Sequence, residues 1–68
     1  MSLEYDKMQA LLQDLTTNAR IAEYGCSCAV LAEDWERAKM EAKRANIFRQ
    51  AFMKTAEQYL QENCKDEN

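Results

Sequence analysis

The fold is decided at residues 24–28, whose sequence YGCSC contains the only glycine of the chain. Helix-forming residues dominate on both sides of it, and the chain has no proline. Glycine commonly follows the last turn of a helix, where φ is positive, so Gly25 is expected to end a first helix. Serine commonly caps the start of a helix, so Ser27 is expected to be the N-cap of the second. The sequence therefore predicts a first helix at about 3–24, a turn at 25–27, a second helix at about 28–63 and a frayed tail at 64–68.

Length and composition point to one small all-α domain. The chain has 68 residues, of which 47% are hydrophobic and 31% charged. Such a length allows a single domain of marginal stability. With one glycine and no proline, we expect more than about three quarters of the residues to be helical.

Both predicted helices have an apolar face with alternating spacings of three and four residues, which is typical of packed helices. In the first helix this face consists of Tyr5, Met8, Leu12, Leu15, Ala19 and Ala22. In the second it consists of Cys28, Leu31, Trp35, Ala38, Ala42, Ala45, Arg49, Phe52, Ala56 and Tyr59. The second helix is predicted to be about 54 Å long and the first about 33 Å. The sequence therefore predicts an antiparallel hairpin whose longer second helix extends beyond the first.

The predicted overhang requires a cover, because it would expose large apolar side chains to water. We expect a second copy of the chain to supply it, in a homodimeric helical bundle. The alternative is a monomeric three-helix bundle in which the second helix breaks near Asn46 and folds back. The residues expected at the interface with a second copy or a partner are Leu31, Trp35, Met40, Ile47, Phe52, Met53, Ala56, Tyr59 and Leu60.

A second apolar line on the predicted second helix strengthens the case for a partner. Met40, Ile47 and Ala51 follow helical spacing on the side away from the main apolar face. A helix that is apolar on two sides is typical of one that contacts two neighbours. The sequence therefore predicts a non-enzymatic interaction protein that associates with itself or binds an amphipathic helix of a partner.

Charge changes sign along the chain. Residues 1–35 have a net charge of −4, residues 36–55 of +4 and residues 56–68 of −3. In the predicted hairpin, Arg49 on the apolar face has Glu4 and Asp6 as its nearest acidic partners. The alternative function is a small nucleic-acid-binding regulator, and its candidate contacts are Arg37, Lys39, Lys43 and Arg44. A net charge of −3 makes nucleic acid the less favoured partner.

The three cysteines, Cys26, Cys28 and Cys64, are the only group with potential for metal or redox chemistry. Three thiols without a histidine do not complete a tetrahedral zinc site, and no Cys-x-x-Cys motif is present. We therefore interpret them as small apolar residues of a reducing cytoplasm, and we expect no enzyme activity, no metal and no cofactor. No apolar run is long enough for a membrane span, and the start of the chain does not resemble a secretory signal.

Overall fold

The computed structural model describes the backbone of residues 2–64 and the side chains of residues 5–62. Two α-helices of 30 residues each, α1 (Ser2–Leu31) and α2 (Trp35–Cys64), pack against each other as an antiparallel hairpin. The prediction of an all-α hairpin is confirmed. The hairpin measures 50 × 24 × 12 Å along its principal axes, so it is a single layer of helices.

The turn lies at residues 32–34 and not at 25–27. The N–H of Glu33 donates to the carbonyl of Val30 (3.0 Å), and the N–H of Asp34 donates to the carbonyl of Ala29 (2.8 Å). This pair of bonds is a Schellman motif, in which Glu33 occupies the position that glycine usually takes. Accordingly, Glu33 has a φ of 58° and is the only non-glycine residue with a positive φ in the described part of the chain.

Asp34 ends one helix and begins the next. Its carbonyl accepts the first helical bond of α2, from the N–H of Ala38 (2.9 Å), and its carboxylate accepts a bond from the N–H of Arg37 (3.3 Å). Asp34 is therefore the N-cap of α2, a position that aspartate favours. The prediction that Ser27 caps the second helix is wrong, because Ser27 lies inside α1.

Gly25 lies in the interior of α1, and its φ is not positive. Its role is to make room for a neighbour, because a Cβ at this position would lie 3.1 Å from Cδ and 3.2 Å from Oε2 of Glu41 in α2. The predicted turn was wrong because a single glycine fits either the end of a helix or a close approach between two helices.

The two helices are equal in length, so α2 has no overhang. The predicted first helix ended too early, and the predicted second helix began too early. In addition, α2 continues through Asn46 without the break that the three-helix alternative needs. The need for a second copy must therefore be judged from the surface of the hairpin and not from a difference in helix length.

The helices meet along a seam of alternating three- and four-residue spacings. On α1 the buried and half-buried seam residues are Met8, Leu12, Leu15, Ala19, Ala22, Cys26 and Ala29. On α2 they are Ala38, Glu41, Ala45, Phe48, Phe52, Thr55 and Tyr59. The predicted face of the first helix is largely confirmed. On α2 the predicted face is wrong at Trp35, Ala42 and Arg49, which are exposed.

The core of the hairpin is small. Five residues with described side chains are buried, and all five are alanines: Ala19, Ala22, Ala29, Ala38 and Ala45. The larger seam side chains are half-buried, including the ring of Tyr59, whose centroid lies 6.4 Å from that of Tyr5. A two-helix layer buries small side chains between the helices, whereas larger seam side chains extend beyond the contact line and stay partly open to solvent above or below the layer.

Candidate functional site

Large apolar side chains are exposed along the whole hairpin. Eleven of those described are at least 44% exposed: Tyr5, Leu11, Ile21, Tyr24, Val30, Leu31, Trp35, Met40, Ile47, Met53 and Leu60. Single exposed apolar residues are normal on a protein surface, whereas contiguous sets indicate an interaction site. The question is therefore which of them lie on one face.

One face of the layer carries exposed apolar side chains on both helices. A groove on this side is lined by Asn18, Ile21 and Ala22 from α1 and by Glu41, Arg44 and Phe48 from α2. Helical spacing places further apolar residues on the same side. We define the isoleucine face as the residues Leu11 and Ile21 of α1 and Met40, Ile47 and Ala51 of α2. Four of them are exposed, and Ala51 is half-buried.

The opposite face has polar side chains along α1. Its groove is lined by Gln9, Leu12, Gln13, Thr16, Thr17 and Arg20 of α1 and by Phe52 of α2. We call this the polar face. It also carries the one ion pair between the two helices in the described part of the chain, in which Nε of Arg49 donates to Oε2 of Glu23 at 2.7 Å.

The Glu23–Arg49 pair replaces the expected partners of Arg49. Asp6 lies near the free end of the hairpin, far along α1 from Glu23, and the side chain of Glu4 lies outside the described residues. The hydrogen bond from Arg49 lowers the pKa of the Glu23 carboxyl below its usual value, and the nearby charge of Arg20 adds a smaller effect in the same direction. The pair is exposed, so we expect its contribution to stability to be small.

Removing the guanidinium of Arg49 is expected to raise the pKa of Glu23 towards its usual value. Because folding lowers this pKa, the pair stabilises the hairpin above the unfolded pKa of Glu23, and this stabilisation disappears as the pH falls through the folded pKa. Carboxyl titration by NMR in an Arg49→Gln variant measures the change. Arg20→Gln is the control and should give a smaller rise, so equal rises in both variants would contradict the hydrogen bond.

Further exposed apolar side chains lie at the tip of the hairpin. Leu31 is 85% exposed and Trp35 61% exposed, and they flank the turn directly. Val30 lies beside them and is also exposed. Because the turn occupies residues 32–34, these side chains surround the closed end of the layer and not its seam.

The structure divides the predicted interface residues into two groups. Phe52, Ala56 and Tyr59 are half-buried in the hairpin itself. The exposed group consists of Leu31, Trp35, Met40, Ile47, Met53 and Leu60. Of these, Met40 and Ile47 lie on the isoleucine face, whereas Met53 lies beside Arg49. The predicted interface did not include Ile21, which lines the same groove as Phe48. This position becomes visible only when the turn is correctly placed.

The basic residues proposed as nucleic-acid contacts do not share one face. Arg37 lies 3.9 Å from the carboxylate of Glu41, and Arg44 lines the groove of the isoleucine face. By helical spacing, Lys39 and Lys43 lie on the back of α2. The nucleic-acid interface therefore stays a prediction, without a clustered basic surface to strengthen it.

Cys26 is a seam residue. Its thiol donates to the carbonyl of Ala38 at 3.4 Å, which links α1 to the first turn of α2. Cys28 is half-buried and also a free thiol, and it belongs to α1 and not to a second helix. The side chain of Cys64 lies outside the described residues. Within residues 5–62, no group of three or more His, Cys, Asp or Glu residues is placed to hold a metal ion.

The chain matches no protein-family model, no curated protein and no solved structure. Within the described residues, neither helix combines the length and the apolar character that crossing a bilayer demands.

Proposed function

We propose that the chain is a non-enzymatic, cytoplasmic interaction protein that works as a homodimer of helical hairpins. The main support for this proposal is that the described part of the hairpin has a core of alanines only, while eleven large apolar side chains are exposed. Domains bury their apolar faces by packing at least two layers of secondary structure. This hairpin forms one layer, and a second hairpin would provide the other.

The dimensions of the chain support this proposal. A compact domain of 68 residues has a radius of gyration of about 11 Å, whereas this hairpin has one of 15.6 Å. A compact domain of 136 residues, the length of two copies, has a radius of about 14 Å. The elongated hairpin therefore has the dimensions of one half of a larger bundle.

The absence of histidine from the sequence supports a non-enzymatic role, because histidine is the commonest general acid or base near neutral pH. Glu23 and Arg49 have shifted pKa values, but both are exposed on an open surface. Their shifts arise from the ion pair that they form with each other, which is typical of a structural contact.

Sedimentation equilibrium at micromolar concentration tests the proposal. We expect a mass of twice the 7.9 kDa of the chain, together with a thermal midpoint that rises with protein concentration, because association stabilises the folded state by mass action. A monomer that melts cooperatively at a concentration-independent midpoint would rule out the homodimer. Binding of an amphipathic helix from a partner would then be the remaining form of the proposed function.

A further inference from the structure

We propose that two copies pair through their isoleucine faces, related by a twofold axis parallel to the helices. In this arrangement α1 of each copy lies against α2 of the other, and the four helices form an antiparallel bundle. The inference rests on the proposed self-association and adds to it the surface that is used and the way in which the copies are oriented.

The choice of face follows from what each side would bury. The isoleucine face would bring together Ile21, Met40 and Ile47 of both copies, and these are among the most exposed aliphatic side chains of the described residues. Both faces carry charges, since Glu41 and Arg44 line the groove of the isoleucine face and Arg20 lines the groove of the polar face. Pairing through the polar face would in addition bury or break the Glu23–Arg49 pair that the hairpin already holds at 2.7 Å, and burying it carries a large desolvation cost. The exposed aliphatic side chains and this cost favour the isoleucine face.

The surface of the hairpin is large enough for this interface. A compact monomer of 7.9 kDa has an accessible surface of about 4,400 Å², whereas this chain has 5793 Å². The additional surface of the hairpin is larger than the roughly 800 Å² that each partner contributes to a standard protein interface. One face of a layer 50 Å long and 24 Å wide also provides that area.

Charge selects the orientation of the two copies. α1 contains four acidic and two basic residues, for a net charge of −2, and α2 contains four acidic and six basic residues, for a net charge of +2. A twofold axis parallel to the helices stacks α1 on the partner's α2. A twofold axis perpendicular to the helices would stack α1 on α1 and α2 on α2. Opposite charges therefore favour the parallel axis.

The register within the hairpin then predicts which residues meet. The contacts of Tyr5 with Tyr59 and of Cys26 with Ala38 define which residues of α1 and α2 lie at the same height. A twofold axis parallel to the helices preserves height. In this register Ile21 and the partner's Ile47 lie about one helical turn apart in height, and so do Asp14 and the partner's Lys54. Side chains lean toward the N-terminus of their own helix, so in both pairs the side chains of antiparallel helices lean toward each other.

The first test compares two substitutions on opposite faces of α2. Ile47 is 64% exposed and Met53 is 58% exposed, so neither side chain is needed for the seam of the hairpin. We expect Ile47→Glu to raise the dimer dissociation constant at least about a hundredfold, since each dimer loses two buried isoleucines and gains two buried charges. The control Met53→Glu should change it less than about threefold. A dimer that Met53→Glu breaks and Ile47→Glu leaves intact would overturn the choice of face but not the proposed function.

The second test uses charge reversal to determine how the two copies are oriented in the dimer. Asp14→Lys alone places two lysines opposite each other, and Lys54→Asp alone places two aspartates opposite each other. We expect each variant to raise its dissociation constant about tenfold, because every dimer contains two such pairs. When the two variants are mixed, every pair is again of opposite charge, and the heterodimer should form with nearly the affinity of the unmodified protein.

Mixing also separates a contact between copies from one within a copy, because only a contact between copies is restored in the heterodimer. Native mass spectrometry of the mixture measures the fraction of heterodimer, which we expect to exceed the statistical one half. A statistical mixture from a protein that is still dimeric would overturn the parallel axis. A monomer in every sample would instead overturn the proposed self-association.

Discussion

Ala19→Leu is expected to lower the free energy of unfolding by about 2 kcal/mol, although leucine is both more apolar than alanine and a good helix former. Ala19 is 1% exposed in the middle of the seam. Three added carbon atoms have no free space there, so the helices must move apart or the side chain must leave its preferred rotamer. Since a domain of this size rarely has more than about 3–5 kcal/mol of stability, the loss would be a large share of the total.

The matched control for this substitution is Ala10→Leu. Ala10 lies in the same helix and is exposed, so the same added atoms meet only solvent and the change should stay within about 0.5 kcal/mol. Urea denaturation followed by circular dichroism, at one fixed protein concentration, gives both values. If Ala19→Leu were as stable as Ala10→Leu, the close packing of the alanines in the seam would be contradicted.

The sequence was sufficient to predict the fold class but not the position of the turn. Helix propensity and the face from Met8 to Ala22 were reliable, because they depend on many residues of α1 at once. The turn depended on one residue, Gly25, which was interpreted through the conformation that glycine allows. In the structure Gly25 lies where α2 comes close, because the Glu41 side chain is 3.1 Å from the position of a Cβ. Size at one position is a property of the packed pair and is not visible in one helix alone.

The real turn had no strong signal in the sequence. Glu33 has a positive φ that glutamate adopts only at a cost, so propensity gave no reason to end a helix there. Asp34 is the N-cap of α2, but an aspartate also suits the early part of a helix that begins near residue 28, so it did not mark a boundary by itself. Because the turn was predicted at residues 25–27 and lies at 32–34, the second helix was wrongly predicted to extend beyond the first. The misplaced turn also explains why the predicted interface included Phe52 and Tyr59, which face α1, and omitted Ile21.

Glu33→Gly and Gly25→Ala together are expected to raise the free energy of unfolding by about 1–1.5 kcal/mol, which corresponds to a rise in Tm of about 4–10 °C. At residue 33, glycine removes the strain of a left-handed side chain, and the greater freedom of glycine in the unfolded chain offsets part of this gain. The charge of Glu33 has little net effect, because it lies between the negative end of α1 and the positive end of α2.

At residue 25, alanine gains helix propensity, and the end of the Glu41 side chain must move by a few tenths of an ångström to admit the Cβ. Glu41 is able to move because its carboxylate has only a long contact of 3.9 Å with Arg37. The two sites are two helical turns apart, so the gains should add. Glu33→Gly places a glycine where the backbone has a positive φ, and Gly25→Ala removes a glycine from the interior of a helix.

The same pair of substitutions tests the position of the turn. If the turn were at 25–27, Gly25→Ala would force alanine into a positive φ and Ser27→Ala would remove an N-cap, so both would destabilise the protein. With the turn at 32–34, Ser27→Ala is a neutral or slightly favourable change inside a helix, and Asp34→Ala costs about 1 kcal/mol through loss of the N-cap. Thermal melts of these variants at equal concentration separate the two cases, because each substitution changes the sign or the size of its effect between them. Glu33→Gly is included, since glycine at residue 33 would destabilise the interior of a helix that begins at residue 28. If Gly25→Ala lowered the Tm and Asp34→Ala did not, the turn would lie at residues 25–27. The second helix would then be longer than the first, which contradicts the two helices of equal length.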